Sequence, residues 1–254
     1  MDRRRRFIHL VSGVLFLISI ASGLRGQLLT SESEIPVLCY HNIKKQAAKI
    51  TSYTISADNF ESHIRELLQS GYKTVMPDDI LLHLSGKKIL SPKSVMISFD
   101  DTRTEHFHIA APILEKHGFR GVFFIMTVSI GKPGYMTGEE IQKLFKAGHA
   151  VELHTYDHQD MRKLQGRDWD IQVDKASRTI ENITGKKPLY LAYPFGAWNE
   201  NVAGQVRMRG IKGAFQLTGK RHPNYKEYSI RRLLVPGQWN AARMMKEMRQ
   251  IFKT

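Results

Sequence analysis

The sequence predicts an α/β domain built on a parallel sheet, and three observations predict it. Short β-like apolar runs alternate with amphipathic helical runs about seven times along the chain. A length of 254 residues with 42% hydrophobic content suffices for one such domain with its own core. Several of the apolar runs also end in histidine or aspartate, as strands do when their carboxyl ends share one working face. A (β/α) barrel and an open doubly wound sheet both satisfy these observations.

The first residues read differently. MDRRRR is a basic run, residues 7–21 (FIHLVSGVLFLISIA) are mostly apolar, and SGLRGQ follows with small and polar residues. That order is a secretory signal over residues 1–26, leaving 27–254 as a single catalytic-sized domain that works outside the cytoplasm, periplasmic or secreted. Fifteen residues fall short of the roughly 20 that a spanning helix needs, so an uncleaved membrane anchor is the second reading. The net charge is +14 for the whole chain; residues 27–254 keep 33 basic against 23 acidic side chains, a net +10. These lysines and arginines are scattered, which implies general attraction to anionic envelope polymers, and no nucleic-acid motif accompanies them. Cys39 is the sole cysteine, so no intrachain disulfide forms; between Leu38 and Tyr40 it reads as a small buried hydrophobe.

The elements follow in order. VLCY (37–40) is the first strand. SADNFESHIRELLQSG has Ser56 as N-cap, Phe60, Ile64, Leu67 and Leu68 on one face, and Gly71 just past the end. TVM and SVMISF are strands, and a helix follows over 105–117 with Pro112 in an early turn or at a kink. After GVFFIM, the run TGEEIQKLFKAG carries a Thr137 and Glu140 capping box, Ile141, Leu144 and Phe145 facing inward, and Gly148 as the stop. AVEL, LYLAY, IKGAF and SIRRLLV are the later strands, with helices at 168–183, 199–209 and 240–252. No linker, internal repeat or Pro-rich or Ser-rich segment divides the pattern.

Four strands deliver polar residues to one face. VLCY runs into His41, SVMISF into Asp100 and Asp101, AVEL into HTYDH with His154 and His158, and LYLAY into Pro194, Phe195 and Gly196. Two histidines and one carboxylate leave a coordination position for water, the composition of a catalytic rather than a structural metal site. Successive side chains on a strand diverge, so one aspartate of the pair faces the metal and the other is placed to take a proton. Alone, each motif also fits a blander role: HxxxH a pair of ordinary surface residues, Asp-Asp a helix cap or solvated turn. His63, His83, His106, His108, His117 and His149 lie in or beside helical runs and read as surface or structural residues.

In SFDD (Ser98 to Asp101), HTYDH (His154 to His158) and AYPFG (Ala192 to Gly196) the chain resembles the polysaccharide deacetylases that share the NodB homology domain, carbohydrate esterase family four. The resemblance runs from about Pro36 to the last helix and implies a single distorted (β/α)7 barrel. It implies that Asp100 is the base, that Asp101, His154 and His158 hold a divalent metal, Zn2+ first, and that the backbone N–H of Phe195 faces the reaction's oxyanion. Two departures from the family pattern matter. Ala192 stands where an arginine begins the third motif; Arg231 or Arg232 of SIRRLLV is the replacement, with Arg232 favoured. No histidine follows His222, where the family has a late proton donor. Because the first strand of a closed barrel lies beside the last, His41 takes that place, similar to the early YH motif of the poly-β-1,6-N-acetylglucosamine deacetylases. Thr102, where glycine is common, is a smaller departure.

The implied reaction is removal of N-acetyl groups from N-acetylglucosamine units of an extracytoplasmic polysaccharide, poly-β-1,6-N-acetylglucosamine first, with peptidoglycan or chitin oligosaccharides as alternatives. Tyr135, Tyr193, Trp198 and Trp239 are candidates for stacking on sugar rings. Two rivals are a non-catalytic glycan-binding protein on this scaffold and an amidohydrolase of small C–N substrates, which the export signal disfavours.

Overall fold

Ten strands appear in the computed structural model, which describes residues 34–46, 49–217 and 219–253; the secretory segment expected at residues 1–26 lies outside them. The strands are β1 (Val37–Tyr40), β2 (Asn42–Lys44), β3 (Thr54–Ser56), β4 (Lys73–Thr74), β5 (Ser94–Phe99), β6 (Val122–Ile125), β7 (Ala150–Leu153), β8 (Tyr190–Ala192), β9 (Gly213–Phe215) and β10 (Leu233–Leu234). The main sheet has the order β10-β1-β5-β6-β7-β8-β9, with β4 beside the start of β5, and all its pairings are parallel. Its edges meet through residues 229–235. Ile230 donates to the Ala214 carbonyl at 3.1 Å and accepts from the Gln216 N–H at 2.9 Å, and Leu233 and Leu234 then pair with Leu38 and Cys39. The sheet therefore curls into a distorted barrel. The predicted strand SIRRLLV is shortened to two ladder residues because it crosses this seam, bonding first to β9 and then to β1.

The period of two along each strand sorts the core. Val37, Met96, Val122, Phe124, Tyr190, Ala192 and Phe215 cluster inside the curl, while the alternate residues Leu38, Tyr40, Ile97, Phe99, Phe123, Leu153 and Leu191 pack under the helices. Those helices are α1 (Ala57–Gln69), α2 (Pro77–Leu84), α3 (Ala111–Lys116), α4 (Gly138–Lys146), α5 (Ala176–Thr184), α6 (Glu200–Met208) and α7 (Ala241–Phe252). Ser56 caps α1 by accepting from the Asn59 N–H at 3.2 Å, and Thr137 and Glu140 close both bonds of their capping box. In α1 Phe60, Ile64 and Leu67 are buried as expected, but Leu68, one residue further round the helix, is 46% exposed.

Helix α2 was not legible in the sequence: at eight residues it is too short to display its period. It starts at Pro77, with the Asp79 carboxylate accepting from the Met76 N–H at 2.9 Å, so Met76 ends the predicted strand TVM as an N-cap. Pro112 falls in the first turn of α3, where its missing N–H is tolerated, directly after a π-helical turn at His106–Ala110. Among the described residues no helix is long and apolar enough to cross a membrane.

One inward position carries a buried acid. Glu152 of β7 accepts from the N–H groups of Leu189 and Tyr190, both at 2.9 Å, yet burial dominates and pushes its pKa from 4.5 up to about 8. Between those values the folded chain holds a proton that the unfolded chain has released, so stability falls as pH rises, by about 1.4 kcal/mol per pH unit. Glu152→Gln is expected to flatten that slope in denaturant titrations run from pH 5.5 upward; parallel slopes for the two proteins would remove the buried acid as its cause.

Candidate active site

Strand register brings the polar residues together. Tyr40 pairs with Phe99, Ile125 with Leu153, and Leu153 with Leu191, so the residues just after these strands share one rim. There the Asp100 N–H donates to the Tyr40 carbonyl at 3.1 Å and the His154 N–H to the Ile125 carbonyl at 2.9 Å. Asp100 and His154 continue the inward phase of β5 and β7. Beyond them the backbone departs from extended geometry: Asp101, Thr102, Thr155, His158 and Phe195 all have positive φ, leaving only Lys253 elsewhere among the non-glycine residues described. Unfavourable backbone is concentrated where side chains must be re-aimed.

Local bonds hold these turns. Thr102 Oγ1 accepts from the Met126 N–H at 2.7 Å and donates to the Met126 carbonyl at 3.2 Å, which gives the threonine a definite task in the SFDDT turn. Thr155 Oγ1 accepts from the His158 N–H at 3.1 Å. Gly196 follows Phe195 at φ +66, and a Cβ there would lie 2.4 Å from the Leu217 nitrogen, so only glycine fits.

Asp101 Oδ1 lies 3.6 Å from His154 Nε2 and 3.8 Å from His158 Nε2. One ligand atom from each of the three residues fits within 4.8 Å of the others. His154 Nδ1 sits 2.8 Å from the Ala192 carbonyl and donates to it, which leaves Nε2 unprotonated. Among the described residues, that buried Nε2 has no hydrogen-bond partner. An orphaned imidazole nitrogen facing a second imidazole and a carboxylate fits a divalent ion, and the mixed N and O donors suit zinc. The electrostatics agree. Burial alone would raise the Asp101 pKa, but the facing His154 brings it down to about 2. Burial opposes protonation of His154, yet the Asp100 and Asp101 charges raise its pKa, so the site favours added positive charge.

Asp100 is built otherwise. Arg232 reaches it from the barrel seam with a bidentate pair, Nη1 to Oδ1 at 2.7 Å and Nη2 to Oδ2 at 2.9 Å, and both residues are buried. The guanidinium lies 5.4 Å from the Phe124 ring centre. Arg231 points away, its Nε donating to Glu34 at 2.6 Å. Burial would raise the Asp100 pKa, but the Arg232 charge, helped by His154, holds the carboxyl well below the usual carboxylate range. Cys39 Sγ adds a donor at 3.6 Å from Oδ2.

His41 Nε2 is 4.0 Å from the same Oδ2. Burial lowers the His41 pKa despite the nearby carboxylates, so its ring is neutral at neutral pH. Its carbonyl accepts from Nε2 of the buried His106 at 2.5 Å, giving one of the histidines read as structural a direct hold on the site. The Tyr53 ring stands edge-on to His41 at 5.0 Å, and the Phe195 ring edge-on to His158 at 4.6 Å.

His41, Asp100, Asp101, His154 and His158 line an open cleft of about 280 Å³. Its aromatic walls are Tyr53, 52% exposed, and Phe195, 63% exposed. The four aromatics named as stacking candidates are not among the residues lining this cleft. Tyr193 is buried with its hydroxyl donating to the Tyr228 carbonyl at 3.0 Å, Trp198 packs on Tyr193, Trp239 lies against Arg243, and Tyr135 against Arg103. Tyr53 escaped notice because it lies in an irregular stretch with no periodicity to place it.

Known proteins resemble this chain over most of its length. Residues 87–214 match the family model described as polysaccharide deacetylase. The poly-beta-1,6-N-acetyl-D-glucosamine N-deacetylase of Staphylococcus aureus (strain MSSA476) is 25% identical over 270 residues, covering 91% of this chain and 92% of the relative. The structure of IcaB from Ammonifex degensii superposes with a TM-score of 0.70 at 25% identity, covering 87% of this chain and 96% of that one. The Streptococcus pyogenes deacetylase PplD in complex with acetate has the same fold, with a TM-score of 0.77 at 19% identity over 85% of this chain and 98% of that one.

Proposed function

This chain belongs to the polysaccharide deacetylase family with the NodB homology domain, and from that premise we propose that it is a metal-dependent N-deacetylase of exported poly-β-1,6-N-acetylglucosamine. One observation carries the chemistry: the orphaned His154 Nε2 shares a centre with Asp101 and His158, beside an Asp100 clamped by Arg232. Similarity to the S. aureus deacetylase over nine-tenths of both chains supports the polymer. The basic, apolar, then small-residue order of residues 1–26 supports export, with 27–254 as the deacetylase domain.

Asp101, His154 and His158 would hold the ion. With zinc bound there, the site would have Lewis acidity toward water and the acetamide carbonyl. Asp100 takes the proton from the attacking water through a carboxylate oxygen. Paired with Arg232 it is a weak base, so it passes that proton on rather than keeping it. The neutral His41 ring, 4.0 Å away, receives the proton and delivers it to the departing sugar amine. The Phe195 N–H donates to the tetrahedral oxyanion. Tyr53 and Phe195 form apolar walls against which a sugar ring rests. Acetate and a glucosamine unit are released, and the polymer becomes cationic.

His41→Ala is expected to cut turnover by roughly 10²–10⁴-fold with unchanged metal content, measured by acetate release beside elemental analysis. Wild-type turnover in that variant would end its assignment as proton donor. The polymer is tested by comparing acetate release from β-1,6-linked and β-1,4-linked N-acetylglucosamine oligomers. Faster release from the β-1,6 series is the expected result, whereas a preference for the β-1,4 series points to peptidoglycan or chitin oligosaccharides instead.

A further inference from the structure

We propose that Cys39, His41 and Asp100 form a second metal site, which takes thiophilic divalent ions such as Cd2+ or excess Zn2+ and shuts the enzyme off when occupied. Cys39 Sγ lies 3.6 Å from Asp100 Oδ2 and 3.9 Å from His41 Nδ1, and one ligand atom from each of the three residues fits within 4.8 Å of the others. Bonds of about 2.3 Å to sulfur and about 2.0 Å to nitrogen and oxygen put neighbouring ligands of a tetrahedral ion roughly 3.3–3.5 Å apart. The two distances from sulfur therefore need to close by only a few tenths of an ångström, and the imidazole and carboxylate, which lie within 4.8 Å of each other, by at most about 1.5 Å.

The fold places them without a special loop. Cys39 shares the inward phase of Val37 on β1, next to β5, whose continuation is Asp100, and His41 follows two residues after Cys39. His41 and Asp100 also line the open cleft, which gives an ion its way in. As the sulfur–metal bond forms, the Sγ–H proton that now points at Oδ2 leaves to solvent, and the ion takes its position between the two atoms. Arg232 keeps its place, because a carboxylate has lone pairs for both a guanidinium and an ion. The soft thiolate favours Cd2+ and Zn2+ over Mg2+, Ca2+ or Mn2+. Asp101, His154 and His158 offer no sulfur and remain a separate set.

Inhibition rests on the catalytic reading above, since the ion would occupy both groups that handle protons; binding does not. Cys39 is the sole cysteine, so a thiolate-to-cadmium charge-transfer band in the ultraviolet reports this site and no other. The zinc-loaded full chain is titrated with cadmium chloride. The band is expected to saturate at one further ion per chain, with acetate release falling along the same curve. Cys39→Ser should show no band and, measured against its own cadmium-free rate, need at least about tenfold more cadmium for inhibition; Cys39→Ala serves as a second thiol-free variant. His41→Ala should bind cadmium at the thiolate at least about tenfold more weakly. No band in the wild type overturns the proposal. So does an unchanged band in His41→Ala, which would mean a lone thiol, or equal cadmium sensitivity in the thiol-free variants. A chain that released no acetate at all would still give the band, so failure of the catalytic reading is distinguishable.

Discussion

Asp100→Asn is expected to keep its metal and lose acetate release by roughly 10²–10⁴-fold, the range of a general base. Asparagine preserves the shape of the side chain and can still accept one bond from Arg232, but its amide has no basic lone pair at neutral pH. All three residues that would hold the ion, Asp101, His154 and His158, are retained. The substitution also strips a buried guanidinium of its counter-charge, and breaking such a pair costs about 3–5 kcal/mol. Elemental analysis, acetate release and a denaturant titration on one preparation separate these effects. Full activity would remove Asp100 from the role of base.

His154→Ala has the second large effect, through binding. It deletes the ring whose Nδ1 is already committed to the Ala192 carbonyl at 2.8 Å, and leaves two ligands where three converged. Removing a group that merely orients a ligand costs metal sites about 10–100-fold in affinity, so loss of the ligand itself should exceed that. The purified variant is expected to carry no stoichiometric metal after dialysis and to release no acetate. A full equivalent of metal would place the ion elsewhere.

Much of this site was legible because strands were legible. The runs VLCY, SVMISF and AVEL are apolar and bounded, and in a parallel sheet their ends must share a rim, which collects His41, Asp100 and His154 from distant parts of the chain. Arg232 was harder, because two adjacent arginines are equivalent until the seam fixes their directions: one turns to Asp100 and the other to Glu34. Tyr53 and the approach of Cys39 to Asp100 had no sequence signal, and the nearness of His106 to Asp101 in sequence gave no sign of its hold on the His41 carbonyl. Each depends on where two elements far apart in sequence cross. Cys39 does behave as a buried small residue, but its neighbours make it more than filler. Helix α2 was missed for a local reason, being shorter than the span over which a helical period shows.

The central claim is that an ion held by Asp101, His154 and His158 drives deacetylation. The most direct test is to strip the wild-type protein with a chelator, verify by elemental analysis that it is metal-free, and follow acetate release from β-1,6-linked oligomers as zinc is added back. The account predicts no release from the stripped protein and recovery that is complete at the first equivalent. Undiminished release from protein shown to be metal-free would contradict it.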